Sequence, residues 1–125
     1  RRAVGFDTNR LQLLIAVLSK RLGLNLGDQD IHLNIVGGFK INEPAVDLAV
    51  CAAIISGYKN IALPRDQVIF GEVGLNGEVR PISHADRRLK EASKLGFTSA
   101  ICPKASYATP PITLHQIQTL KELEV

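Results

Sequence analysis

Apolar positions recur along this chain with two periods, and each period marks an element. After Asp7 and Thr8, residues Leu11, Leu14, Ile15, Leu18 and Leu22 fall on one helical face. That spacing predicts a helix over 9–22, with Asp7 or Thr8 as N-cap and Gly23 as C-cap. Ile31, Leu33 and Ile35 then alternate with His32 and Asn34, which predicts a half-buried strand ended by Gly37-Gly38. Glu43-Pro44 marks the next start, since proline is tolerated in a first helical turn. The run from there predicts a helix over 44–57, apolar around most of its circumference and therefore central. Val68, Phe70 and Val73 open a second strand region, which Asn76-Gly77 folds into a hairpin continued by Val79 and Ile82. Ser83, with Asp86 as capping-box partner, opens a helix that ends near Leu95 with Gly96 as C-cap. A short strand over 99–102, a loop over 103–111 and a last strand through Ile112, Leu114 and Gln116 follow. Thr119 and Glu122 form a capping box that starts a final helix.

The sum is a mixed α/β (α+β) domain occupying 1–125, with no internal repeat, low-complexity tract or linker. A domain of this length buries roughly two thirds of its unfolded surface and needs no staples. Six aromatics and no tryptophan make the core aliphatic. Leu14, Leu18, Ile35, Leu48, Ala52, Ile55, Val68, Leu89 and Ile101 are the expected core.

A net charge of +3 and a pI near 9.1 admit nucleic acid as a partner without demanding it. Arg87, Lys90 and Lys94 lie at offsets 0, +3 and +7 on the third helix, within about 60° of one another. Such a stripe contacts phosphates, or is a solvated face softened by Glu91 pairing with Arg87. Cys51 and Cys102 belong to no C-x-x-C pair, which points to buried reduced thiols and a cytoplasmic setting. No apolar run approaches the ~18 residues of a membrane span. Nothing resembles a signal peptide, and an opening on Arg1-Arg2-Ala3 reads as a piece of a longer protein.

Catalytic and cofactor motifs are missing. There is no G-x-x-x-x-G-K-[ST] and no G-x-G-x-x-G, and the spacing of Gly71, Gly74 and Gly77 follows from strand and hairpin geometry. His32, His84 and His115 lie in separate elements without a second ligand at i+3 or i+4, so no metal site is expected. Ser19, Ser56, Ser83, Ser93, Ser99 and Ser106 sit in no nucleophile motif. Cys51 lies in the middle of an apolar helix and reads as core.

Four segments carry a family resemblance: GFDTNRLQLLIAVLSKRLGL, DQDIHLNIVGG, NEPAVDLAVCAAI and FGEVGLNGEVRPISHADRRLKEASKLGF. Their order and spacing resemble the C-terminal, Lon-protease-like region of the RadA (Sms) family of bacterial DNA-repair ATPases. They cover most of 4–97. The resemblance implies a Lon proteolytic-domain-like fold, a mixed sheet with packed helices. In Lon the nucleophilic serine sits in a Gly-Pro-Ser-Ala-Gly turn at a helix start, and a lysine on a later helix is its base. Here Glu43-Pro44-Ala45-Val46-Asp47 occupies the turn, and the lysine position falls on Arg88. Alanine has no nucleophile, and arginine stays protonated and cannot be a base.

The chain is therefore expected to be a non-catalytic domain. Arg88 is expected to find a carboxylate partner in Glu43 or Asp47. For the whole protein the resemblance implies ATP, Mg2+ and zinc sites, none of whose motifs is present here, together with a homo-hexameric ring that processes branched DNA. No cofactor is expected in this chain. Its expected partners are DNA, bound without sequence preference through Arg87, Lys90 and Lys94, and further copies of itself. The alternatives are a scaffold that does not touch DNA and a Lon-like peptidase with a displaced nucleophile.

Overall fold

The computed structural model describes residues 1–37 and 42–123. Its elements are β1 (Arg2–Val4), α1 (Thr8–Leu22), β2 (His32–Asn34), a 3-10 turn (Pro44–Val46), α2 (Asp47–Lys59), β3 (Gln67–Ile69) and β4 (Glu72–Val73). β5 (Val79–Arg80), α3 (Ala85–Lys94), β6 (Ser99–Pro103), β7 (Thr113–Ile117) and a second 3-10 turn (Leu120–Glu122) complete the chain. The fold is mixed α/β, as the periodicity implies.

α1 begins where the Asp7 carboxylate accepts the Arg10 N–H at 3.1 Å. It ends at Gly23, whose φ of 68° is the left-handed conformation that glycine adopts without strain. Its inner face buries Leu11, Leu14, Ile15, Val17 and Leu18. α2 buries residues all round, from Asp47 and Leu48 to Ile54 and Ile55. It runs two residues past the expected end, to Lys59, and Asn60 caps it with φ 57°.

Three small sheets surround these helices. β1 and β2 pair in parallel, with Ala3 opposite Leu33. β4 and β5 form the hairpin, with Val73 opposite Val79. The third sheet has the order β3-β6-β7, all parallel, with β6 in the middle and buried from Ala100 to Pro103. Alternation splits its side chains between two clusters. Ile69, Ile101 and Ile117 face the main core, which α1 and α2 fill with Leu14, Leu18, Leu48 and Ile55. Phe70, Ala100 and Cys102 face the other way and pack with Leu89 of α3. Of the expected core, Ile35 and Val68 are only half-buried, at the margins of these clusters.

Four expectations need correction. β1 was not predicted, because three residues are too few to show a period. The strand region from Val68 to Val73 is two strands in different sheets. Gly71 breaks it with φ 154°, a conformation that side-chain-bearing residues avoid. α3 is not capped by Ser83 and Asp86. His84, left-handed at φ 59°, is the capping residue and makes no side-chain cap bond. That turn leaves Ser83 outside the helix, where its carbonyl accepts from Arg88 Nε at 3.2 Å. Asp86 instead accepts the Ala108 N–H at 3.1 Å. The Thr119/Glu122 capping box is present, but it opens a 3-10 turn. Gly38, expected to end β2, and residues 124–125, where a final helix would continue, lie outside the described residues.

Candidate functional site

The turn before α2 and the start of α3 bring four of the singled-out residues close together. Ala45 is 4% exposed, and it and Leu48 each make one backbone bond to Gly71. The Gly71 N–H donates to the Ala45 carbonyl at 2.9 Å, and the Gly71 carbonyl accepts the Leu48 N–H at 3.0 Å. A Cβ at Gly71 would stand 3.1 Å from both Pro103 and Val79, so crowding and the φ of 154° both favour glycine here.

Arg88 reaches across from α3, and its guanidinium forms an ion pair with Glu43. Both side chains keep solvent access, 31% and 45%, so the pair contributes about 1 kcal/mol or less. Asp47, the other expected partner, does not meet Arg88. It turns toward α1 and is paired with Arg10. The reason is its place one residue past the turn, at the first residue of α2, where its side chain lies under β4.

The Arg10–Asp47 pair is the most buried polar feature described. Asp47 is 1% exposed and accepts from Arg10 Nε at 3.1 Å, from Arg10 Nη2, and from the Val73 N–H at 3.1 Å. Arg10 Nη2 also donates to the Val73 carbonyl at 3.0 Å. One guanidinium therefore joins α1, α2 and β4. The hydrogen bond to Asp47 raises the Arg10 pKa above its ordinary value, against the opposing effect of desolvation. Burial pushes the nearby Cys51 thiol up to about 12, and the Asp47 charge adds to this. Sequence reasoning missed Arg10. The available signal was an acidic residue at the head of a wholly apolar helix, which demands a cation, but nothing local says which.

What this arrangement can do chemically is limited. Ala45 offers no nucleophile, and the carboxylate of Asp47 is saturated by its donors. Cys51 is a protonated, fully buried thiol. Cys51 and Cys102 lie in different clusters, and among the described residues no three His, Cys, Asp or Glu side chains are grouped to hold a metal.

On α3, Arg87, Lys90 and Lys94 are all exposed, opposite the buried Leu89 and Ala92. Glu91 pairs with Lys94 at 3.5 Å and not with Arg87, so Arg87 and Lys90 have no ion-pair partner among the described residues. No described helix is long and apolar enough to cross a membrane.

Comparison with known proteins adds a family. The family model described as "Subunit ChlI of Mg-chelatase" matches residues 2–106. The chain is 50% identical to the DNA repair protein RadA of Rickettsia bellii over 125 residues, all of this chain and 28% of that protein. It is 47% identical to the DNA repair protein RadA of Haemophilus influenzae over 121 residues, 97% of this chain and 26% of that one. For the RadA of Aquifex aeolicus the identity is 50% over 105 residues, 84% and 24% of the two chains. The chain thus spans about a quarter of the length of the curated relatives it matches.

Proposed function

Since this chain belongs to the family described as subunit ChlI of Mg-chelatase and is about half identical to a segment of DNA repair proteins named RadA, we propose that it is a non-catalytic, Lon-protease-like domain of a RadA-type DNA-repair protein. Its work is to help assemble a ring of identical subunits and to hold DNA by charge, without reading sequence. Any ATPase or zinc-dependent activity of the whole protein resides outside these residues, which carry no phosphate-binding loop.

The observation that carries the non-catalytic part is the turn at Ala45. At the position where a Lon-like nucleophile would stand, the residue is a buried alanine whose carbonyl accepts the Gly71 N–H, and Arg88 is engaged by Glu43, two residues before it. The DNA-holding part rests on α3, whose outer face presents Arg87 and Lys90 unpaired by any described carboxylate, with Lys94 beside them. Phosphates are contacted from such a face without any base-reading geometry.

Titrating the chain with short duplex and single-stranded DNA at two salt concentrations tests the proposal. Binding should be independent of DNA sequence, and removing all three cations should flatten the salt dependence by roughly 2–3 units of slope. If neither DNA binds at low salt, or the triple variant binds as the parent does, α3 is a solvated face and the domain is a scaffold alone.

A further inference from the structure

A groove on another part of the molecule has the geometry of a peptide site. Among the described residues β2 has one partner, β1, and none pairs with its far edge. The bonds Arg2 N–H to Ile31 O and Ile35 N–H to Val4 O, each 2.9 Å, set the ladder so that residues 31, 33 and 35 turn their backbone groups to β1. The N–H and C=O groups of His32 and Asn34 therefore point outward. Among the described residues none of these four groups has a hydrogen-bond partner. Alongside this edge runs a groove of about 300 Å³, between β2 and the last two turns of α2. Its walls are Ile31 and Leu33 on one side, and Ala53, Ile54, Gly57 and Tyr58 on the other. Tyr58 is 41% exposed, and a Cβ built on Gly57 meets nothing within 4 Å.

Charge selects what fits. Asp30 lines the groove and Asp28 stands just before it, both exposed and neither in an ion pair with a described residue. The carbonyl end of α2 adds a partial negative charge on the other wall. Among the described residues no lysine or arginine lines the groove, and Lys59 of α2's last turn is not among the lining residues. Nucleic acid is repelled from such a place. An unpaired strand edge beside an apolar groove binds an extended chain, its backbone supplying the missing bonds and alternate side chains entering the groove.

We infer that the outer edge of β2 is a docking site for an extended segment of a partner protein that carries small apolar side chains flanked by lysine or arginine, added to the sheet as a further strand. The site is separate from the α3 face and does not depend on the DNA-holding proposal.

The test is a nitrogen-15 amide titration of the chain with the synthetic peptide acetyl-Lys-Val-Thr-Val-Lys-amide, at up to about 1 mM. The amides of His32, Asn34, Gly57 and Tyr58 should shift together, and those of His32 and Asn34 should become protected from exchange. The same peptide with glutamate for both lysines should bind at least tenfold more weakly, and backbone N-methylation should abolish binding. Gly57→Leu fills the groove from a position where the added side chain has room, and should cost at least tenfold in affinity. Asp30→Lys, an exposed change, should weaken the lysine peptide and strengthen the glutamate peptide, and it decides the matter if Gly57→Leu fails to fold. Shifts confined to other residues, no shift at 1 mM, or equal binding of the two peptides would overturn the inference. So would concentration-dependent shifts of His32 and Asn34 without peptide, which would assign the edge to a second copy of this chain.

Discussion

Replacing Arg10 by methionine keeps the aliphatic stem of the side chain and removes its charge. Asp47, 1% exposed, is then left with one donor, the Val73 N–H at 3.1 Å, where it now has three. An uncompensated buried carboxylate costs about 3–5 kcal/mol. The Arg10 side chain is 31% exposed, so water partly takes its place, and the expected loss is nearer ~3 kcal/mol. For a domain of this size that lowers Tm by roughly 10 °C. Urea unfolding at pH 7 measures it, with an unchanged m-value as the sign that the fold is retained. Asp47→Leu alone leaves the guanidinium unpaired but able to reach solvent, and should cost less. The double variant should be no worse than Arg10→Met alone, a coupling of at least about 1 kcal/mol. A loss below about 1 kcal/mol for Arg10→Met, or two single losses that add, would refute the view that this pair ties α1, α2 and β4 together.

Three further outcomes are expected. Gly71→Ala should cost about 1–3 kcal/mol, because φ 154° and neighbours at 3.1 Å both oppose a Cβ, and equal stability would refute it. Cys51 should resist thiol reagents in the folded chain at pH 8. Because its pKa is raised on folding, its contribution to stability is complete below the ordinary thiol value of about 9, and declines as pH rises toward about 12. Stability that climbs over that interval would contradict the burial. The double change Ala45→Ser with Arg88→Lys should yield no peptidase activity on an unstructured protein substrate, since residue 45 is buried and Asp47 still stands just past the turn; measurable cleavage would refute the view that these two changes cannot restore a site.

Elements with a long period were legible: α1 with its two caps and the apolar α2 follow directly from residue spacing. The hairpin was visible in Asn76-Gly77, since that pair favours the turn a hairpin needs. Tertiary placement was not legible. Gly71 looks like one of three evenly spaced glycines, yet its φ of 154° breaks a strand in two, and its close neighbours Leu48, Val79 and Pro103 come from three different elements. At the turn before α2, the family resemblance pointed to Glu43 as a partner of Arg88, but nothing pointed to Arg10, which is 37 residues from Asp47. His84 shows the same limit: a serine followed by Asp86 reads as a cap, whereas a left-handed histidine and a bond from Asp86 to Ala108 decide the helix start.

The division of side chains between the two faces of the β3-β6-β7 sheet has a dynamic consequence. On one face lies the large cluster from α1 and α2; on the other, Leu89 of α3 packs in a much smaller cluster with Phe70, Ala100 and Cys102 as its other buried members. The solvent-accessible Arg88–Glu43 pair and the Asp86–Ala108 bond are among its few other ties. α3 can therefore lift away as a unit while the larger cluster stays intact. Its amide protons should exchange through such a partial opening, ahead of those of α1 and α2, which amide exchange followed residue by residue would show. A ligand held on Arg87 and Lys90 would close the opening, and would be felt as slower exchange along the whole of α3 and not only at the cations it touches.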